Sequence, residues 1–178
     1  MNDEQKYLNT AIELLHHSGE DVWMPVKGTS MLPMLRVGDR VKVQRVDGDL
    51  QLGDIVVFRQ GSELIIHRVL GFRRNQWYTR GDNVMHFDPP ISTDDILGRV
   101  SELERRGKHY NLTTRVWRWL GWMIAWWGSI TLPTWSRLRH WKLRRIGEEP
   151  LWISRTLRAV RRLVLDYAFR IFGRVRKS

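Results

Sequence analysis

The sequence contains no cysteine among its 178 residues. Disulfide bonds, thiol nucleophiles and cysteine-ligated metals are therefore excluded, whereas the redox compartment stays open. Residues 1–21 also lack the charged, apolar and cleavage regions of a secretory signal. They show helical spacing instead and predict a short amphipathic docking helix with an apolar stripe of Tyr7, Leu8, Ala11, Ile12 and Leu15.

Acidic side chains are scarce in the last part of the chain. Residues 1–110 hold 15 Lys and Arg against 16 Asp and Glu, whereas residues 111–178 hold 15 against 3. Of the 10 tryptophans, only Trp23 and Trp77 precede residue 111. The composition therefore predicts a nearly neutral domain followed by a basic tail rich in tryptophan.

Residues 22–110 show neither an internal repeat nor a low-complexity segment. They contain short β-branched and aromatic runs, namely RVKVQRV, DIVVF, ELIIHRVLGF and QWYTR. Turn pairs such as Gly38-Asp39, Gly53-Asp54 and Gly81-Asp82 separate these runs. We therefore predict a mainly β domain over 22–110, with a short helix before it at 1–21 and an α-helical tail after it at 111–178.

Few groups in the β domain suit nucleophilic chemistry. Ser30 stands in the turn-like stretch GTSMLPML, and a serine hydroxyl needs both a base and an oxyanion donor to react. His67 follows the strand ELII, and RGDNVMHFDPP supplies Asp82 and Asp88. These residues make a possible Ser-His-Asp triad. The alternative is that the serine caps a turn, the histidine is an ordinary strand residue and the aspartates belong to turns.

Four segments, GTSMLPMLRVGDRVKV, LQLGDIVVF, IIHRVLGF and WYTRGDNVMHFD, resemble in order the conserved boxes of type I signal peptidases. That superfamily also includes the self-cleaving LexA-type repressors, and the resemblance covers about residues 22–100. It implies a signal-peptidase/LexA-like β catalytic domain. The implied activity is that of a serine endopeptidase that cleaves a precursor or exported peptide through an acyl-enzyme.

Lysine is absent between Lys42 and Lys108. Bacterial signal peptidases and LexA-type proteins use lysine as the base, whereas the archaeal and endoplasmic-reticulum type carries histidine at the start of the HRV box. The resemblance therefore implies Ser30 as nucleophile and His67 as general base. It favours Asp88 as the residue that orients His67, with Asp82 shaping the site through its Gly-Asp-Asn turn.

The resemblance also implies how substrate is held. The Ser30 backbone N–H is the expected first oxyanion donor, and Gly28 stands where many relatives have a serine that adds a second. Met31, Leu32 and Pro33 border a groove that takes an extended peptide as an added strand, unless Met31 and Leu32 are simply core. No cofactor or metal is expected. Two alternatives stay open, a non-catalytic peptide-binding module and a self-cleaving regulator of the LexA type.

Two features of the tail predict contact with membrane lipid. Residues Trp119 to Ser136 carry no charge over 18 positions, which as a helix measures about 27 Å at ~1.5 Å per residue. This length suits either a single span or an interfacial segment. Farther on lies a basic helix with an apolar stripe of Ile153, Leu157, Val160, Val164, Tyr167 and Ile171. Packing on the protein's own domain is the alternative. Nucleic acid is the less expected partner, and a charge-complementary protein partner stays open. The side of the membrane stays open.

Overall fold

A seven-stranded antiparallel sheet forms the body of the protein. The computed structural model describes residues 20–46, 50–61, 63–84 and 86–126, together with Leu163, Tyr167 and Phe169. Its strands are β1 (Val22–Pro25), β2 (Arg40–Gln44), β3 (Ile55–Gln60), β4 (Glu63–Arg73), β5 (Gln76–Arg80), β6 (Ile96–Arg105) and β7 (Lys108–Asn111). Residues 115–126 form a helix, α1. The prediction of a mainly β fold is therefore confirmed.

The strand order is β1-β2-β6-β3-β4-β5, with β7 also paired to β6. The first part of β6 pairs with β3, and its last residues pair with β7. The hairpin of β3 and β4 is in continuous register from Ile55 opposite Arg68 to Gln60 opposite Glu63. This register places His67 opposite Val56, near the centre of the sheet.

Apolar side chains of β3 enter both faces of the sheet, because successive residues of a strand point to opposite sides. Ile55 and Val57 belong to the main core, which also contains residues of β1, β2 and β6. Val56 and Phe58 belong to a second cluster with Val69 and its neighbours. A strand buried on both faces explains the continuous apolar run in the sequence.

Helix α1 lies on the face of the main core. Trp117 and Leu120 are buried members of that core. Phe169 is also helical and buried, with its ring centroid 5.0 Å from that of Tyr110 and 4.6 Å from that of Trp117. The described part of the basic tail therefore shares a core with the strands.

Most of the two predicted membrane segments and residues 1–19 lie outside the described residues. Of the segment from Trp119 to Ser136, residues 119–126 are described and helical. Of the predicted apolar stripe, Tyr167 alone is described, and it is exposed. Within the described ranges, no helix combines the length and the apolarity that crossing a bilayer requires.

Candidate active site

Ser30 lies half-buried in the loop that joins β1 to β2. The next residues form a tight turn in which the Leu35 N–H donates to the Met31 carbonyl at 3.0 Å. Met31, Met34 and Leu35 are buried in the main core. Since these side chains anchor the turn, the apolar residues after the serine fix the position of the serine itself.

A partly buried ion pair holds the far end of the same loop. Arg105, at the end of β6, donates to both carboxylate oxygens of Asp39, at 2.9 and 2.7 Å. The guanidinium also donates to the Met34 carbonyl at 2.7 Å. Planar guanidinium groups suit such bidentate pairing, so this contact ties the loop to the sheet at two points.

His67 and Arg68 are neighbours on β4, and strand geometry directs their side chains to opposite faces. His67 lies on the face of the second cluster, where its ring meets Phe58 edge-on at 6.2 Å. Its side chain is only 9 % exposed. Arg68 is fully buried on the opposite face, which α1 covers.

Asp88 accepts the hydrogen bond that orients the His67 ring. The Nδ1 atom of His67 lies 2.7 Å from Asp88 Oδ2, and Thr79 Oγ1 donates to the same oxygen at 2.8 Å. The Asp88 N–H also donates to the Thr79 carbonyl at 3.1 Å, so the chain returns alongside β5. Because an ionised carboxylate only accepts, this contact places the proton on Nδ1 and leaves Nε2 as the acceptor.

Gly81 lies next to both the Ser30 backbone and the His67 ring. A Cβ on Gly81 would stand 2.7 Å from the Ser30 carbonyl oxygen and 2.9 Å from His67 Nε2. Such distances leave no room for a side chain, so glycine permits the close approach. The Nε2 edge of the imidazole and the Ser30 carbonyl oxygen therefore both lie beside Gly81.

The turn after β5 is hydrogen-bonded to the loop that contains Ser30, which we call the serine loop. The Asn83 N–H donates to the Ser30 carbonyl at 2.6 Å, and its side-chain amide donates to the Thr29 carbonyl at 3.3 Å. Among the described residues, Ser30 Oγ makes no hydrogen bond to His67. It lies 3.8 Å from the position of a Cβ on Gly28. Catalytic hydrogen bonds are often long before substrate binds and shorten in the complex.

Asp82 pairs with Arg68 rather than with His67. Arg68 donates to its two carboxylate oxygens at 2.8 and 2.7 Å, and both side chains are almost completely buried. The remaining Arg68 nitrogen donates to the Gly53 carbonyl at 2.8 Å. The structure thus separates the two aspartates, with Asp88 beside the imidazole and Asp82 holding the turn that contains Gly81 and Asn83.

The three predicted substrate-binding residues occupy different environments. Met31 is 2 % exposed and belongs to the main core, which is the alternative that the sequence left open for it. Pro33 is also buried, whereas Leu32 is half-buried. Of the three, Leu32 is the most exposed.

Lys42 is not placed to act as a general base. It lies on β2, which β6 and β3 separate from β4. The hydrogen bond that its ammonium donates to Asp21 at 2.9 Å raises the pKa of Lys42, so it stays protonated near neutral pH. Lys42 is therefore not a candidate general base for Ser30.

Sequence reasoning missed three parts of the site, namely Thr79, Arg68 and the close approach at Gly81. The signal for Arg68 was its position next to His67, because a charged residue on the opposite face of a buried strand needs a buried partner. Thr79 had only the alternation of β5 to mark it as inward-facing. Neither pattern in the sequence identifies the residue that Arg68 or Thr79 contacts.

Comparison with known families found one match. A family model described as Peptidase S24-like matches residues 1–101, a stretch that contains Ser30, His67 and Asp88. Comparison with curated proteins found no match. The matched residues make up more than half of the chain.

Proposed function

The chain belongs to the S24-like peptidase family, and from that premise we propose that it is a serine endopeptidase of the signal peptidase type. Its substrate would be a precursor or exported peptide. The observation that carries the proposal is the orientation of His67. Asp88 fixes its Nδ1 at 2.7 Å, and Nε2 lies beside the Ser30 backbone at Gly81.

The proposed reaction begins when Ser30 Oγ transfers its proton to His67 Nε2 and attacks the peptide carbonyl carbon. Asp88 stabilises the resulting imidazolium through Nδ1–H, and the Ser30 N–H donates to the oxyanion. His67 then gives the proton to the leaving amine as the C–N bond breaks. Water, deprotonated by the same nitrogen, releases the acyl group and restores Ser30.

A rival function is peptide binding without cleavage. Two observations favour it, since Gly28 supplies no hydroxyl near the nucleophile and Ser30 Oγ is not bonded to His67. A second rival is self-cleavage, which the family also contains. Both rivals keep the fold. The first predicts no new chain ends, and the second predicts new chain ends only in the protein itself.

The test is to incubate the full chain with a peptide library made from a whole proteome and to label new amino termini for mass spectrometry. We expect the wild type to generate termini that share a preference before the cleaved bond. His67→Ala should abolish them because it removes the proposed general base. His86→Ala is the matched control, since His86 is exposed on the same loop as Asp88.

Each rival has its own outcome in this experiment. Cleavage products that appear equally with His67→Ala would exclude the proposed base. A library that is bound but never cut would indicate a peptide-binding module. If fragmentation of the chain itself is the only reaction seen by intact mass, the protein is a self-cleaving regulator instead.

A further inference from the structure

Three tryptophans of helix α1 are exposed on one side. Trp119 is 58 % exposed, Trp122 44 % and Trp126 47 %, and the rings of the last two stack with centroids 6.1 Å apart. At about 100° per residue, the three side chains fall within a sector of roughly 60°. We call Trp119, Trp122 and Trp126 the tryptophan face.

The opposite side of α1 is fixed to the sheet. Trp117, Leu120 and Ala125 are buried on it. Gly121 packs so closely that a Cβ there would stand 2.8 Å from the Gly53 carbonyl oxygen. Arg118 also donates to the Gln51 side chain. The tryptophan face therefore points away from the catalytic domain on a firmly anchored helix.

Among the described residues, most of the exposed large apolar side chains belong to the tail. They are Trp119, Trp122, Trp126, Leu163 and Tyr167, whereas Val37, Phe72 and Phe87 lie outside the tail. Trp122 and Trp126 stack on each other, and a contiguous exposed apolar surface usually marks an interaction site. Its composition identifies the partner, because indole rings are enriched where hydrocarbon meets lipid headgroups.

Charge around the face supports the same partner. Arg115 is exposed and falls within the angular sector of the three tryptophans, one turn before Trp119. The tail as a whole holds 15 Lys and Arg against 3 Asp and Glu. Cationic groups beside an apolar face are attracted to anionic headgroups while the face enters the acyl boundary.

We propose that the tryptophan face docks the protein on an anionic lipid bilayer, lying in the interface without crossing it. This inference goes beyond the proposed enzyme activity and does not depend on it. Because α1 packs on Gly53, whose carbonyl binds Arg68, docking would hold the sheet and its active site in a fixed orientation to the membrane surface.

The test is flotation of the full chain with vesicles of phosphatidylcholine alone or mixed with phosphatidylglycerol. We expect the wild type to float with the anionic vesicles. The triple variant Trp119→Ser/Trp122→Ser/Trp126→Ser should bind at least about tenfold more weakly at a salt concentration that screens the basic tail. Val37→Ser/Phe72→Ser is the matched control, because these exposed apolar residues lie outside α1.

Folding of each variant is checked by its thermal transition, and Trp122→Ser alone replaces the triple variant if that variant does not fold. Undiminished vesicle binding by the folded variant would overturn the proposal. Two other results would also overturn it. One is a wild-type dimer that ignores vesicles and dissociates in the variant, and the other is binding of single-stranded nucleic acid in place of lipid.

Discussion

At the scale of single residues, the site depends on what surrounds Ser30 and His67. One carboxylate oxygen of Asp88 receives both His67 Nδ1 and Thr79 Oγ1, which fixes the imidazole ring. Gly81 allows the ring to approach the serine backbone. Gly28 leaves space on the other side of Ser30. Substitutions at Gly28 and at Thr79 test two of these features.

Gly28→Ser should raise cleavage about tenfold in kcat. A Cβ at this position would stand 3.8 Å from Ser30 Oγ and 4.0 Å from Ser30 N, so an added hydroxyl can reach the oxyanion. Loss of one such donor in other enzymes costs roughly 10²–10³ in kcat. Gly28→Ala adds the Cβ without the hydroxyl and should leave kcat unchanged. Equal rates for the two variants would exclude a missing oxyanion donor.

Thr79→Val should lower kcat by about ten- to a hundredfold. The substitution removes the hydroxyl that donates to Asp88 at 2.8 Å while preserving its shape at a fully buried position. A hydrogen bond to a charged group contributes about 1.5–3 kcal/mol. Steady-state kinetics should show the change in kcat with little change in KM. Thr93→Val is the control, and a similar loss there would point to general destabilisation.

At the scale of elements, α1 and the end of β5 are linked through a buried chain of contacts. Gly121 of α1 meets the Gly53 carbonyl, which binds Arg68, and Arg68 pairs with Asp82. The same turn contains Gly81 and Asn83, which touch the serine loop. The position of α1 therefore bears on the geometry around Ser30.

Gly121→Ala should lower both stability and kcat. The new Cβ would stand 2.8 Å from the Gly53 carbonyl oxygen and 3.1 Å from the Arg68 guanidinium, so α1 must shift outward. Overpacking of this kind costs about 1–3 kcal/mol of unfolding free energy. Alanine favours the helix over glycine by about 1 kcal/mol, so helix propensity alone predicts that the substitution raises the free energy of unfolding. Urea unfolding decides between the two, and increased stability would show that the contact is unimportant.

At the scale of the whole molecule, the part of the basic tail that the structure describes completes the core of the β domain. The Phe169 ring packs on Tyr110 and Trp117, and the Arg105 guanidinium lies 4.6 Å above its centroid. Arg105 also anchors the serine loop through Asp39. The tail thus supports the residues that hold Ser30.

Phe169→Ala should therefore lower the free energy of unfolding by about 3–5 kcal/mol, as expected for a buried phenylalanine. Tyr167→Ala, at a helical position that is 65 % exposed, should change it by less than about 0.5 kcal/mol. Urea denaturation of both variants measures the difference. Similar values would mean that Phe169 contributes no packing energy.

The sequence predicted the mainly β fold because alternation and turn pairs are local signals. It proposed Ser30, His67 and Asp88 through the order of four boxes, since spacing alone left the triad open. The sequence did not predict the contact of Thr79 with Asp88 or the packing of Gly121 on Gly53. Both depend on strand register and helix position, which join residues far apart in the chain.

For Met31 the sequence favoured a role that its burial does not support. Its place after the nucleophile suggested a groove, but a side chain in an irregular loop has no periodicity to show which way it points. The structure buries it among the core residues that fix the loop. Leu32, next to it, is half-buried.

We propose Ser30 as the nucleophile of a peptidase. This is tested by comparing cleavage by wild type and Ser30→Ala on the precursor peptides found in the library. The comparison requires that both proteins unfold at the same urea concentration. We expect Ser30→Ala to leave no cleavage above the rate without protein. Cleavage of the same bonds at the wild-type rate would contradict it.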